Sequence, residues 1–215
     1  HAESLRRIAQ ALRRNAAGFR TGRPIGSFLL LGPTGCGKTE TARALAEFLF
    51  AAPGSFTRID LSEYAEPHAV ARLVGAPPGY IGHDEGGQLT EAVRARPYQL
   101  VLFDEADKAH REVLQLLLQL LDDGRLTDSR GRVVSFEQTV VILTSNHGAD
   151  AAAPRIGFAS GADGDASDAR ALAAVRSALP PELFGRLDEV LYFGPLDREA
   201  VREVARRLLL ASASA

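Results

Sequence analysis

Apolar positions along the chain fall into two patterns, a helical repeat and short continuous runs. In the opening stretch ESLRRIAQALRRNAAGF, Leu5, Ile8, Ala9 and Leu12 repeat at helical spacing with arginines between them, which predicts an amphipathic helix. The run SFLLLG then ends in glycine and is followed by the helical pattern KTETARALAEFLF, giving strand, loop and helix. The alternation continues through the strand FTRIDL, the helix PHAVARLV, a glycine-rich loop GAPPGYIGHDEGG, the helix GQLTEAVRAR, the strand QLVLFDE and the apolar helix REVLQLLLQLLDDG. A turn-rich excursion, GRLTDSRGRVVSF, leads to the strand TVVILTSN. After a long Ala, Gly, Asp and Ser-rich segment from His147, the helix DARALAAVRSAL, the turn PPELFGR, the strand DEVLYFG and the helix DREAVREVARRLLL follow. Strands apolar throughout and separated by helices predict an α/β fold with a mostly parallel sheet covered on both faces.

Composition adds a core and removes some partners. The chain has 215 residues, 46% hydrophobic and 24% charged, with a formal net charge of -2 and no block of like charge. That balance suits one sizeable α/β domain and offers no basic stripe for nucleic acid and no polybasic or apolar surface for a membrane. The lone cysteine, Cys36, excludes an internal disulfide and fits a reducing compartment, so the expected location is the cytoplasm.

The chemistry begins at GPTGCGKT, which fits G-x-x-x-x-G-K-[ST] and lies between a strand and a helix. Gly32, Pro33, Thr34, Gly35, Cys36 and Gly37 form a loop whose backbone N–H groups can turn around phosphate oxygens. Lys38 can reach the β- and γ-phosphates of ATP, and the Thr39 hydroxyl can ligate Mg²⁺. The strand LVLFDE ends in Asp104 and Glu105, at the end of a parallel strand where such sheets bind ligands. Asp104 is the candidate for the Mg²⁺ shell, and Glu105 the candidate base for an attacking water. Asn146, closing VVILTSN, is placed to contact the γ-phosphate or orient that water; a helix cap or turn is its alternative role.

Long runs extend these motifs: GPTGCGKTETARALAEFLF, RIDLSEYAEPHAVARLVGAPPGYIGHDEGGQLTEAVRARPYQLVLFDEADKAH, LLQLLDDGRLTDSRGRVVSFEQTVVILTSN and PELFGRLDEVLYF. With them the chain resembles the second ATPase module of the Hsp100/Clp family of AAA+ protein unfoldases, of the ClpA/ClpC or the ClpB type. The resemblance covers nearly the whole chain. It implies a P-loop NTPase large subdomain over residues 1–195, with a five-stranded sheet, and the first helix of a truncated small subdomain over 196–215. It also implies ATP and Mg²⁺ as cofactors, a homo-hexamer, and unfolded or tagged proteins as substrates.

Three further expectations follow from the resemblance. The loop Gly79, Tyr80, Ile81 and Gly82 corresponds to the pore loop whose aromatic residue grips substrate; the alternative is Tyr80 tucked against its own domain. A second pore loop falls in LTDSRGR. Arg186 matches the arginine finger that serves the neighbouring subunit's site; the alternative is an ion pair with Asp188 or Glu189. Gly185, where the family usually has asparagine, predicts a looser backbone there. In the long loop, Ile156, Gly157 and Phe158 resemble the tripeptide with which peptidase-coupled unfoldases dock into clefts of the ClpP ring, and which the ClpB type lacks at this position. Their alternative role is to pin the loop to the domain. As a fragment without a sensing subdomain or a neighbour, the chain is expected to have little or no activity alone.

Overall fold

The computed structural model of the protein describes residues 1–19, 22–77, 79–80, 86–146, 173, 175–196, 198–202 and 205–206. Helix α1 (Ala2–Arg14) leads through a wide turn at Asn15–Phe19 to strand β1 (Gly26–Leu31) and helix α2 (Lys38–Phe50). Strand β2 (Phe56–Asp60) runs into a tight helical turn at Leu61–Tyr64, then helices α3 (Val70–Val74) and α4 (Gln88–Ala95). Strand β3 (Gln99–Asp104), a turn at Ala106–Lys108 and helix α5 (Arg111–Asp123) follow. The excursion expected to be turn-rich is an antiparallel hairpin of β4 (Arg125–Thr127) and β5 (Val133–Ser135). Strand β6 (Thr139–Ser145), the short helix α6 (Pro181–Phe184) and strand β7 (Glu189–Tyr192) complete the named elements.

The main sheet has five parallel strands in the order β2-β3-β6-β1-β7. Its central strands are buried on both sides, which explains why their sequences lack polar alternation. Successive side chains go to opposite faces. Leu29, Leu31, Val101, Phe103, Val141 and Leu143 pack under α3, α4 and α5, whereas Phe28, Leu30, Leu100, Leu102, Val140 and Ile142 pack under α1 and α2. Burying a large apolar side chain of this kind contributes about 1.5–3 kcal/mol, so the two layers fix the register of every central strand.

In α1 the buried positions are Ile8, Ala11 and Leu12, and Leu5 is 46% exposed. The helix therefore presents a narrower apolar stripe than its spacing suggests, rotated towards Ala11 and away from Ala9.

Helices α3 and α4 flank the glycine-rich loop, and the base of that loop is tied to the hairpin. The Ser129 N–H, from the turn of the hairpin, donates to the Val74 carbonyl at 3.0 Å. Gly75 sits at φ 102°, and a Cβ there would lie 2.3 Å from Ser129 Oγ, so glycine is required at this approach. Arg132 of the hairpin spans Asp128, at 2.6 Å, and Glu91 of α4. The Arg94 guanidinium, then that of Arg132, hold the Glu91 carboxyl below the usual carboxylate range. Burial pushes Asp128 up, but the N–H groups of Arg132 and Arg130 and the Arg132 guanidinium outweigh it and leave its carboxyl lowered.

Candidate functional site at the rim of the sheet

In a parallel sheet every strand ends at the same edge, so polar residues at strand ends meet even when they are far apart in sequence. Here β3 lies between β2 and β6 with Asp60 paired to Asp104 and Phe103 to Leu143, which sets Thr144 and Asn146 beside the Asp104–Glu105 corner. Strand β1 lies on the other side of β6, and the chain leaving it wraps into the loop before Lys38. At Gly37 the backbone takes φ 97°, which suits glycine and lets α2 begin with its first N–H groups turned to the rim. Together these elements enclose a cleft of about 300 Å³ lined by Thr34, Gly35, Gly37, Lys38, Thr39, Glu40, Arg58, Asp104, Glu105 and Asn146.

Within the cleft the groups are bonded to one another. Lys38 Nζ is buried and donates to the Gly32 and Pro33 carbonyls at 2.6 and 2.9 Å and to Asn146 Oδ1 at 2.8 Å. Asn146 Nδ2 donates onward to Glu105 Oε1 at 3.0 Å, so one amide joins the loop lysine to the candidate base. Asp104 is 7% exposed. Its Oδ1 accepts from the Thr144 hydroxyl, and its Oδ2 accepts from Arg58 Nε and Nη2 at 2.9 and 2.7 Å and from Thr39 Oγ1 at 3.4 Å. Thr144 Oγ1 also accepts from the Glu105 N–H at 3.1 Å. Glu105 itself adopts φ 55°, a left-handed conformation that costs a non-glycine residue about 1–3 kcal/mol and recurs at functional corners.

The cleft therefore gathers Lys38, Thr39, Asp104, Glu105 and Asn146, with Thr34, Gly35 and Gly37 of the loop, as their motifs suggested. Arg58, Glu40 and Thr144 were not anticipated. For two of them the available signal was a polar residue within a predicted strand, Arg58 in FTRIDL and Thr144 in TVVILTSN. Cys36 is buried with its Sγ 3.8 Å from Lys38 Nζ.

Arg186 lies outside the cleft. Its Nε donates to Asp122 at the end of α5, which also takes Arg23 at 3.0 Å, and its Nη1 donates to the Glu182 carbonyl at 2.8 Å. Of the adjacent acids, Asp188 accepts from the Ser27 N–H at 2.8 Å, and Glu189 pairs with Arg7 and Arg14. Gly185 stands at φ -70° and ψ -11°, and a Cβ added there would find its nearest neighbour 3.7 Å away. Asparagine also adopts that conformation, so the position does not require glycine.

Tyr80 is 71% exposed, and Gly79 precedes it at φ 90°. Ile81 and Gly82, and the tripeptide Ile156, Gly157 and Phe158, lie outside the described residues. Among the described residues no helix is long and apolar enough to cross a membrane, and no group of three or more His, Cys, Asp or Glu side chains is arranged to hold a metal unaided.

Relatives of known family carry this arrangement's sequence at high identity. "Probable chaperone protein ClpB 1" of Chlorobaculum tepidum is 52% identical over 94% of this chain and 47% of its own length. "Chaperone protein ClpB" of Mycobacterium leprae is 55% identical over 89% of this chain and 21% of its own, and "Chaperone protein ClpB3, chloroplastic" of Arabidopsis thaliana 50% over 93% and 21%. The chain thus spans about half of the first relative and a fifth of the others. The profile described as "AAA domain (Cdc48 subfamily)" matches residues 23–190, and with a parallel sheet whose rim gathers the P-loop lysine and the Asp104–Glu105 corner, the chain belongs to that family of nucleotide-binding AAA modules, in its ClpB-like Hsp100 branch.

Proposed function

We propose that the cleft binds and hydrolyses ATP, and that the parent protein uses the energy to draw polypeptide through the pore of a six-membered ring. The observation that carries this reading is the single hydrogen-bonded line from Lys38 through Asn146 to Glu105 beside Asp104. Lys38 Nζ, now held by uncharged oxygens, is the cation available to β- and γ-phosphate oxygens. Glu105 takes the proton of the attacking water, and Asn146 orients Glu105 for it. Thr39 Oγ1 and Asp104 Oδ2, 3.4 Å apart, are hard oxygen donors that fit Mg²⁺, an ion that ordinarily takes one or two carboxylates together with phosphate oxygens and water. When bound, Mg²⁺ would neutralise charge on the transferring phosphoryl group.

The remaining roles rest on the same reading. Tyr80, with Gly79, Ile81 and Gly82, grips substrate: an exposed aromatic face holds varied side chains without demanding a sequence. Arg186, absent from its own chain's cleft, serves the neighbouring subunit's cleft after release from Asp122. Residues 1–195 act as the large subdomain and 196–215 as the start of the small one. The relatives' names as chaperones favour protein remodelling as the output. The tripeptide Ile156–Phe158 favours a second reading, delivery to a ClpP-type peptidase in the cytoplasm.

In the full-length protein, Glu105→Ala retains ATP and lowers turnover by about 10²–10⁴-fold in a steady-state ATPase assay. Tyr80→Ala leaves hydrolysis within a few-fold and stops unfolding of a folded reporter substrate. Undiminished unfolding by the tyrosine variant would overturn the pore assignment. Removing residues 156–158 separates the two outputs, because only a peptidase-coupled machine loses degradation while keeping unfolding.

A further inference from the structure

Asp104 has two oxygens, and the structure assigns them different duties. The Thr144 hydroxyl holds Oδ1, which leaves Oδ2 facing Thr39 as the oxygen a cation would use. That oxygen already carries a cation. Arg58 donates both Nε, at 2.9 Å, and Nη2, at 2.7 Å, to the same Oδ2 atom, whereas a guanidinium usually spreads its fork over two acceptor oxygens.

Asp60 supplies the other half of the arrangement. It pairs with Asp104 across the β2–β3 ladder, so the two carboxylates stand side by side at the rim. Its Oδ1 caps the following turn, accepting from the Ser62 N–H at 3.1 Å and the Ser62 hydroxyl at 2.6 Å. Its Oδ2 lies 3.6 Å from Arg58 Nη2. Arg58 therefore stands between two carboxylate oxygens, closer to Asp104, and its side chain is 48% exposed, so it can swing without opening the core.

We propose that Arg58 is a competitor for the metal-facing oxygen of Asp104: it neutralises that carboxylate until a divalent cation arrives with nucleotide, and it then transfers to Asp60. Two cations on one oxygen repel, so metal loading and Arg58 release form one exchange. The exchange lowers the apparent affinity for the divalent cation. It also prevents Asp104 from standing as an uncompensated buried charge between turnovers. The inference rests on the ATP reading above.

The test uses the full-length protein and a fluorescent ADP analogue, titrated with Mg²⁺ from a chelator baseline, and reads the Mg²⁺ concentration at half-maximal change. Arg58→Ala lowers that midpoint by about fivefold, the span of a partly exposed ion pair. Arg58→Lys, which keeps the charge and the aliphatic stem but not the fork, gives an intermediate midpoint. Asp60→Asn removes the alternative seat and raises the midpoint by about two- to threefold. Thermal unfolding of each variant checks that the fold is kept. Nucleotide binding with an unshifted or higher midpoint in Arg58→Ala, or shifts of the same sign in Arg58→Ala and Asp60→Asn, overturns the exchange and leaves the ATP reading standing. Failure of the unaltered protein to bind the analogue at any Mg²⁺ concentration overturns the ATP reading and this inference with it.

Discussion

The rim of the sheet and the base of the glycine-rich loop are both built from charged side chains, yet they are held in opposite ways. At the rim, Lys38 and Asp104 are buried, and their contacts run to strand ends, the loop before α2, Thr39 in the first turn of α2 and Arg58 of β2. At the loop base, Arg132, Glu91 and Arg94 lie on the outer surface of α4 and the hairpin, and only Asp128 is buried. Buried polar groups are expensive to leave unpaired, so the rim tolerates little change, whereas exposed ion pairs contribute little to stability and mainly adjust position. Rigid chemistry is thus placed on the scaffold, and adjustable contacts are placed where the loop and the hairpin leave it.

Lys38→Ala sharpens that contrast most. It removes the buried cation of the loop and leaves the Gly32, Pro33 and Asn146 oxygens without their donor. ATP affinity, measured by equilibrium titration of the full-length protein, falls roughly tenfold to a hundredfold, the equivalent of a hydrogen bond to a charged group. Thr144→Val comes next. One hydroxyl serves both the Asp104 carboxylate and the Glu105 N–H, so a methyl in its place strands two buried partners and costs about 1–3 kcal/mol in a urea unfolding experiment.

Acid gives the smallest effect and the clearest sign. Glu91 and Asp128 are both lowered in the folded state, so their contribution is present above the ordinary carboxylate pKa of about 4 and is lost as pH falls through their folded values. The difference in melting temperature between the unaltered protein and Arg132→Gln is therefore constant above about pH 5 and shrinks below about pH 4. A difference independent of pH would break the distinction between the two regions.

Much of this was legible in the sequence, for reasons that differ between elements. The spans of α2 and α5 follow their patterns closely because a glycine marks one end of each, Gly37 before α2 and Gly124 after α5, and long apolar periodicity carries the rest. The convergence of Lys38, Asp104, Glu105 and Asn146 follows from strand ends in a parallel sheet, which a motif reading can place in order. The hairpin β4–β5 was hidden because its strands have three residues each, too few for a period to show. Long-range partners were hidden as well. Arg186 finds Asp122, 64 positions away, and Arg58 finds Asp104, 46 away, because tertiary packing chooses among many equally plausible acids.

The bond between the Ser129 amide and the Val74 carbonyl gives two segments a common footing. The stretch bearing Tyr80 and the turn of the hairpin leave the domain from the same point, with the Arg132 strap beside it. Whatever displaces that root displaces both, as two teeth cut from one comb move together.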